Sequence, residues 1–274
     1  MRLANKVCIV TGGGSGIGRA TALLFAAEGA RLAVADRRAA AAEAVASECA
    51  GKGAEAISVT ADVARAPDVK RMIEKTVERF GRLDVLVNNA GYGIPGSVVE
   101  TDEEAWDALM AVNVRGVFLG LRGAFRGYRE QGTTGNVVLT ASIASLRGSA
   151  DLIAYQTSKH AVLGLLRGAA MYGGPLGIRV NAVAPGIVPT DLFSAAGRED
   201  MVRRAATTPL RRAGTPAEIA AVVLFLLSEE SAFLTGEVVS VDGGAAIMST
   251  VRSSGGAGAW DFAALDHRTY RREE

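Results

Sequence analysis

Cysteine is nearly missing from this chain: Cys8 and Cys49 are the only two among 274 residues. Two thiols cannot build a disulfide framework, and their spacing fits no metal site. A reducing cytoplasm is therefore the expected compartment. A surplus of one charge is missing as well, because 30 Lys and Arg face 29 Asp and Glu, a net +1. No basic excess points to a nucleic-acid partner. Long apolar runs are lacking too. The longest, Ile219 to Leu227, is far short of the roughly 20 residues that span a bilayer, so no membrane partner is expected. The N-terminus carries Arg2 and Lys6 and turns at once into a strand-like run, unlike a signal peptide. What is present is ordinary for a globular protein with a sizeable core: 49% hydrophobic and 22% charged residues.

Short Val/Ile/Leu-rich runs alternate with longer Ala/Leu/charged segments. Strands are expected at Lys6–Thr11, Arg31–Asp36, Glu55–Thr60, Val85–Asn88, Asn136–Ala141, Arg179–Ala184 and Glu237–Val241. Continuous apolar runs of this length suit strands buried on both faces, as in a parallel sheet. Helices are expected at Ile17–Glu28, Ala39–Cys49, Ala66–Phe80, Asp102–Arg129, Leu152–Met171 and Pro216–Leu227. The last opens with Thr215, Pro216 and Glu218, the pattern of a capping box with proline at the first helical position. Such alternation means right-handed crossovers and a doubly wound α/β fold of Rossmann type. One domain is expected over residues 1–248. Residues 249–274 then form an extension with a Gly/Ser-rich linker at 253–258, followed by Trp260, Phe262, Leu265 and Tyr270. It reads either as a disordered tail or as a docking segment.

The first chemical motif is Thr11-Gly12-Gly13-Gly14-Ser15-Gly16-Ile17-Gly18, between the first strand and the first helix. It fits T-G-x-x-x-G-x-G rather than G-x-G-x-x-G. Its glycines permit a tight turn and let backbone approach a pyrophosphate resting on the helix N-terminus. An ordinary flexible turn is the competing reading. Dinucleotide binding further requires an acidic residue about 20 positions on, at the end of the second strand, and Asp36 stands there. A carboxylate at that place hydrogen-bonds the ribose of NAD and repels the 2′-phosphate of NADP. NAD is accordingly expected over NADP, although Arg37 and Arg38 could attract that phosphate.

These residues, with Asp62-Val63, Asn88-Asn89-Ala90-Gly91, Asn113, Ser142, Tyr155-x-x-x-Lys159, Pro185-Gly186 and Asp242-Gly243-Gly244, make the chain resemble the short-chain dehydrogenase/reductase family over residues 3–248. The extension is the main departure from that pattern. The resemblance implies a catalytic set of Asn113, Ser142, Tyr155 and Lys159. It also implies cofactor contacts at Gly12, Ser15, Gly16, Ile17, Gly18, Asp36, Arg37, Asp62, Val63, Asn89, Ala90, Gly91, Pro185, Gly186, Ile187 and Thr190, with Tyr155 and Lys159 shared. In the family, lysine also binds the nicotinamide ribose, and the kinked backbone at the asparagine holds a water.

The residues themselves support the central pair. Tyr155 and Lys159 lie four apart on a predicted helix and so share a face; a surface tyrosine packed along a lysine stem is the alternative. Ser142 falls just past the fifth strand, where open α/β sheets place their crevice. A free tyrosine, with a pKa of about 10, is too weak a base at neutral pH. Lowering that value by roughly three units takes about 4 kcal/mol. An ammonium at ~5 Å and an effective dielectric near 20 supplies about 3 kcal/mol of it. Asn113 is a poor interior helix former, and with His160 and His267 alone for histidines no metal site is expected.

The expected activity is hydride transfer between NAD and a small or medium secondary alcohol or ketone, with oxidation the favoured direction and Tyr155 as general acid/base. The pocket should come from 93–95, 143–152 and the loop 187–208, lined by Ile94, Leu146, Leu152, Ile187 and Phe193. Two alternatives stand beside this reading: an NADPH-dependent carbonyl reductase such as a 3-oxoacyl reductase, and a noncatalytic NAD-binding sensor or scaffold. Family practice implies a homotetramer, and the small residues Ala161, Gly164, Gly168, Ala169 and Ala170 would allow close helix approach between copies, packing against the chain's own sheet being the alternative.

Overall fold

The computed structural model describes residues 1–190 and 195–247. Seven strands form one parallel sheet in the order β3-β2-β1-β4-β5-β6-β7. They are β1 (Val7–Thr11), β2 (Arg31–Asp36), β3 (Ala56–Thr60), β4 (Val85–Asn88), β5 (Gly135–Thr140), β6 (Ile178–Pro185) and β7 (Val238–Val241). The helices between them are α1 (Gly16–Ala27), α2 (Ala39–Gly51), α3 (Ala66–Phe80), α4 (Glu103–Met110), α5 (Val117–Gln131), α6 (Ile153–Gly173), α7 (Ala195–Ala205) and α8 (Pro216–Leu227). The expected doubly wound architecture is what forms.

Strand periodicity explains the two cores. Alternate residues of β1 point to opposite faces, so Ile9 joins one buried cluster while Cys8 and Val10 join the other. Residues of α3, α5 and α6 pack in the first cluster, and residues of α1, α2 and α8 in the second. Every residue of β1 and β4 is buried, the signature of a parallel sheet covered on both sides.

Two elements differ from expectation. The segment 102–129, read as one helix, is α4 and α5 joined by a π-helical turn over Ala111–Gly116. This run is long and apolar enough to cross a bilayer by length and composition, yet Leu109, Leu119 and Leu121 are buried in the protein's own interior. Helix α7 was not expected. Its sequence carries Glu199, Asp200, Arg203 and Arg204 with little apolar periodicity, so the pattern that marks helices was missing.

All strands run the same way, so their C-terminal ends share one edge. The glycine turn follows β1, Asp36 ends β2, and Asp62 follows β3. Asn89 follows β4, Ser142 follows β5, Gly186 follows β6 and Asp242 follows β7. That edge is where open α/β sheets bind ligands, at the point between β1 and β4 where strand order reverses.

Candidate active site

The turn after β1 is shaped by contacts that exclude side chains. Gly12 has φ +62°, and a Cβ there would stand 2.9 Å from Ala90 Cα. At Gly18 a Cβ would fall 2.1 Å from the Gly12 carbonyl oxygen. Ser15 and Ile17 lie on this same turn, and Thr190 packs over it, its Cγ2 3.1 Å from where a Gly16 Cβ would be. Helix α1 opens with no acidic residue in its first turn and no side-chain cap. Its leading N–H groups and positive dipole end therefore suit a phosphate.

Asp36 is buried and braced. One carboxylate oxygen accepts from Gly14 N–H at 3.1 Å, and the other accepts from Arg38 N–H at 3.0 Å. The Arg38 guanidinium is 3.4 Å from the same carboxylate and donates to Ser15 Oγ at 3.1 Å. Both arginines are exposed, Arg37 and Arg38 alike, and Arg38 contacts Asp36 and the glycine turn. The Asp62 carboxylate holds its own turn through Ala64 N–H at 2.9 Å. Val63 packs against Gly116, the last residue of the π turn.

Asn89 fastens three strand ends. Its Nδ2 donates to Thr11 O at 3.0 Å, and its Oδ1 accepts from Thr140 Oγ1 at 3.3 Å. Thr11 Oγ1 accepts from both Asn89 and Ala90 N–H. Gly186 N–H donates to Val241 O at 3.1 Å, and a Cβ there would meet Asp242 Cα at 2.7 Å. The Pro185-Gly186 corner therefore sits tight on the end of β7.

Asn113, Ser142, Tyr155 and Lys159 converge at this edge. The Ser142 hydroxyl lies beside the Tyr155 phenol and favours its charged form. Its backbone is locked by a capping box, with Ser142 Oγ accepting from Ala144 N–H at 3.1 Å and Ser145 Oγ accepting from Ser142 N–H at 3.2 Å. The Lys159 ammonium stands 5.7 Å from the Tyr155 ring centre and donates to the Thr140 carbonyl at 2.8 Å. Asn113, buried in the π turn, grips the backbone of Tyr92 with both ends of its amide, at 2.8 and 3.1 Å. Gly91 and Gly93 let that loop pass close by. A Cβ on Gly91 would be 3.6 Å from Lys159 Nζ, and one on Gly93 3.2 Å from the Tyr155 ring. Sequence reading missed Thr140, Tyr92 and Ser158, whose parts are played by backbone or by a small hydroxyl without a distinctive pattern.

The electrostatics correct one expectation. Burial pushes the Tyr155 phenol above its usual range, opposed by the Ser142 hydroxyl beside it. Burial also pulls Lys159 down to about 8. The ammonium was expected to supply most of what brings the phenol down, with an oxidised nicotinamide adding a second positive charge. The same desolvation that strengthens their mutual attraction penalises the charged form of each.

Of the expected pocket walls, Leu152 is joined by a β-bridge to Gly96, the residue after 93–95, with Gly96 N–H on Asp151 O at 2.8 Å and Ile153 N–H on Gly96 O at 3.1 Å. Leu146 is part exposed, and Phe193 lies outside the described residues, as does 249–274. A separate cavity of about 390 Å³ is lined by Ile187, Pro209, Leu210, Arg212, Ile219 and Asp242 among others. None of the four convergent residues lines it.

Comparison with known proteins agrees with this geometry. A family model described as enoyl-(acyl carrier protein) reductase matches residues 12–246. Levodione reductase of Leifsonia aquatica is 40% identical over 256 residues, covering 89% of this chain and 95% of that protein. Cyclohexanol dehydrogenase of an Acinetobacter species is 39% identical over 242 residues, covering 87% and 94%. The crystal structure of an NAD+-bound xylitol dehydrogenase superposes with a TM-score of 0.83 at 34% identity, covering 89% of this chain and all of that one.

Proposed function

Since the chain belongs to the short-chain dehydrogenase/reductase family, we propose that it transfers a hydride between NAD and a small or medium secondary alcohol or its ketone, with Tyr155 as general acid/base. It is an NAD(P)-dependent oxidoreductase. The observation that carries the finer reading is the buried Tyr155 phenol with Lys159 beside its ring, 5.7 Å from the ring centre, and the Ser142 hydroxyl favouring its charged form. Names of relatives support the substrate class, one being a levodione reductase and another a cyclohexanol dehydrogenase.

The residues fit a nicotinamide dinucleotide. Gly12 and Gly18 leave a cradle that a Cβ would fill, α1 offers an acid-free N-terminus, and the Asp36 carboxylate ends β2. Asp62, Val63, Asn89, Ala90 and Gly91 would line the adenosine side. Pro185, Gly186, Ile187 and Thr190 would meet the nicotinamide end. When bound, the nicotinamide supplies the hydride acceptor or donor and, oxidised, a positive ring. NAD rather than NADP is supported because a 2′-phosphate would face the Asp36 carboxylate, and Arg38 is already engaged by it.

Within the chain the roles divide by geometry. Ser142 donates a hydrogen bond to the substrate oxygen and holds it beside Tyr155. The phenol oxygen takes the alcohol proton in oxidation and returns one in reduction. Lys159, still mostly protonated at pH 7 with its value near 8, stabilises the phenolate and would bind the cofactor ribose. Asn113 fixes the loop that backs both groups. Against a noncatalytic scaffold, nothing in binding NAD requires a buried phenol, hydroxyl and ammonium at one point.

Tyr155→Phe decides the reading. It removes one oxygen, so NAD binding measured by fluorescence titration should stay within about threefold, while turnover of cyclohexanol falls at least about 10³-fold. Preserved turnover would refute the mechanism.

Assembly belongs to the same proposal. A homotetramer is supported by α6, where Gly164 and Gly168 face open space and Met171 and Tyr172 are exposed. Free, buried thiols suit a cytoplasmic setting.

A further inference from the structure

Ser158 precedes Lys159, lies three residues after Tyr155, and is completely buried. Its hydroxyl donates to the Tyr155 main-chain carbonyl at 2.7 Å and accepts from Asn113 Nδ2 at 3.0 Å. One proton and two lone pairs allow both bonds at once, each in a fixed direction. The bond to a carbonyl three residues back is a common local habit of helical serines. The bond to Asn113 is different, because it joins α6 to the π turn across 45 residues of sequence. Asn113 in turn holds Tyr92, and its Oδ1 lies 3.1 Å from a Cβ position on Gly91, which is 3.6 Å from Lys159 Nζ.

We propose that Ser158 is a positioning residue: through Asn113 it fixes α6 against the loop after β4, and so sets where the Lys159 ammonium stands relative to the Tyr155 phenol. This rests on the acid/base reading of Tyr155. Lys159 is the charged group facing the phenol, from the same helix, while Ser142 from the end of β5 and the Gly93 backbone from the loop after β4 are neutral. Around the ammonium stand the Thr140 carbonyl, Gly91 and Asn113, all neutral.

The phenol can be read without turnover, by ultraviolet difference titration of a protein against its Tyr155→Phe counterpart. Ser158→Ala should raise the Tyr155 midpoint by about half a unit or more, and Ser158→Thr, which keeps the hydroxyl, should restore it. With cyclohexanol and NAD, Ser158→Ala should lower kcat about tenfold and leave the KM for NAD within roughly twofold. Added to Asn113→Ala, it should cost no more than about twofold further, because both act through one bond. An unmoved midpoint, equal effects of Ala and Thr, or losses that multiply with Asn113→Ala would overturn the proposal. Should Ser158→Ala not fold, Ser158→Cys takes its place with the same expected outcomes, since a thiol is a weak acceptor. An active Tyr155→Phe sinks the acid/base reading itself. An inactive Tyr155→Phe beside an unmoved Ser158→Ala sinks only the role of Ser158.

Discussion

Lys159 carries its charge where there is almost no water, and stability bears the cost. Its folded value, near 8, lies below the ordinary 10.5. The unfolded chain therefore holds the extra proton between those values, and stability from this group is lowest below about 8 and rises with pH up to about 10.5. Lys159→Met should then raise stability at pH 7 by about 1–3 kcal/mol while abolishing turnover. Urea melts at pH 7 and pH 10.5 check this, since the gain should shrink at the higher pH. The pattern is a functional group retained against stability. Asp36 makes the opposite contribution, braced by Gly14 and Arg38. Replacing it with Ala removes the repulsion of a 2′-phosphate. The ratio of kcat/KM for NAD over NADP should fall by about 30-fold or more, and a ratio that stays put would show that discrimination lies elsewhere.

Elements differ in how much they owe to their own residues. Helix α8 begins with a complete capping box: Thr215 Oγ1 accepts from Glu218 N–H at 3.2 Å, and Glu218 accepts from Thr215 N–H at 2.8 Å. Arg212 and Thr215 together hold the Glu218 carboxyl down to about 2. Thr215→Ala should cost about 1 kcal/mol and lower Tm by roughly 2–4 °C, with kcat unchanged at 25 °C. Calorimetry beside a steady-state assay checks both halves. This cap was readable in advance because its four residues are contiguous and the chemistry is local. The π turn was not. Residues 102–129 have helical composition throughout, and the interruption at Ala111–Gly116 depends on Asn113 reaching Tyr92 and Ser158, each distant in the chain. Helix α7 escaped for another reason, because charged residues dominate it and no apolar face announced it.

At the scale of the molecule, Gly164 and Gly168 of α6 present open space, whereas Ala169 and Ala170 of the same helix pack into the chain's own core. A second copy seated there would cover Met171 and Tyr172. Light scattering or native mass spectrometry should then give four chains per particle, and a concentration-independent monomer would remove the tetramer. Strand order, too, is a property of the whole.

The residues by themselves determined the strand–helix alternation, the glycine turn, Asp36 at the end of β2 and the four-residue spacing of Tyr155 and Lys159, because each is written in neighbouring positions. Only the tertiary structure decided that Ser142, Asn113 and that pair meet, and that water is driven from them. Meeting requires seven strand ends on one edge, and desolvation depends on every segment packed around the site, which no local stretch of chain encodes.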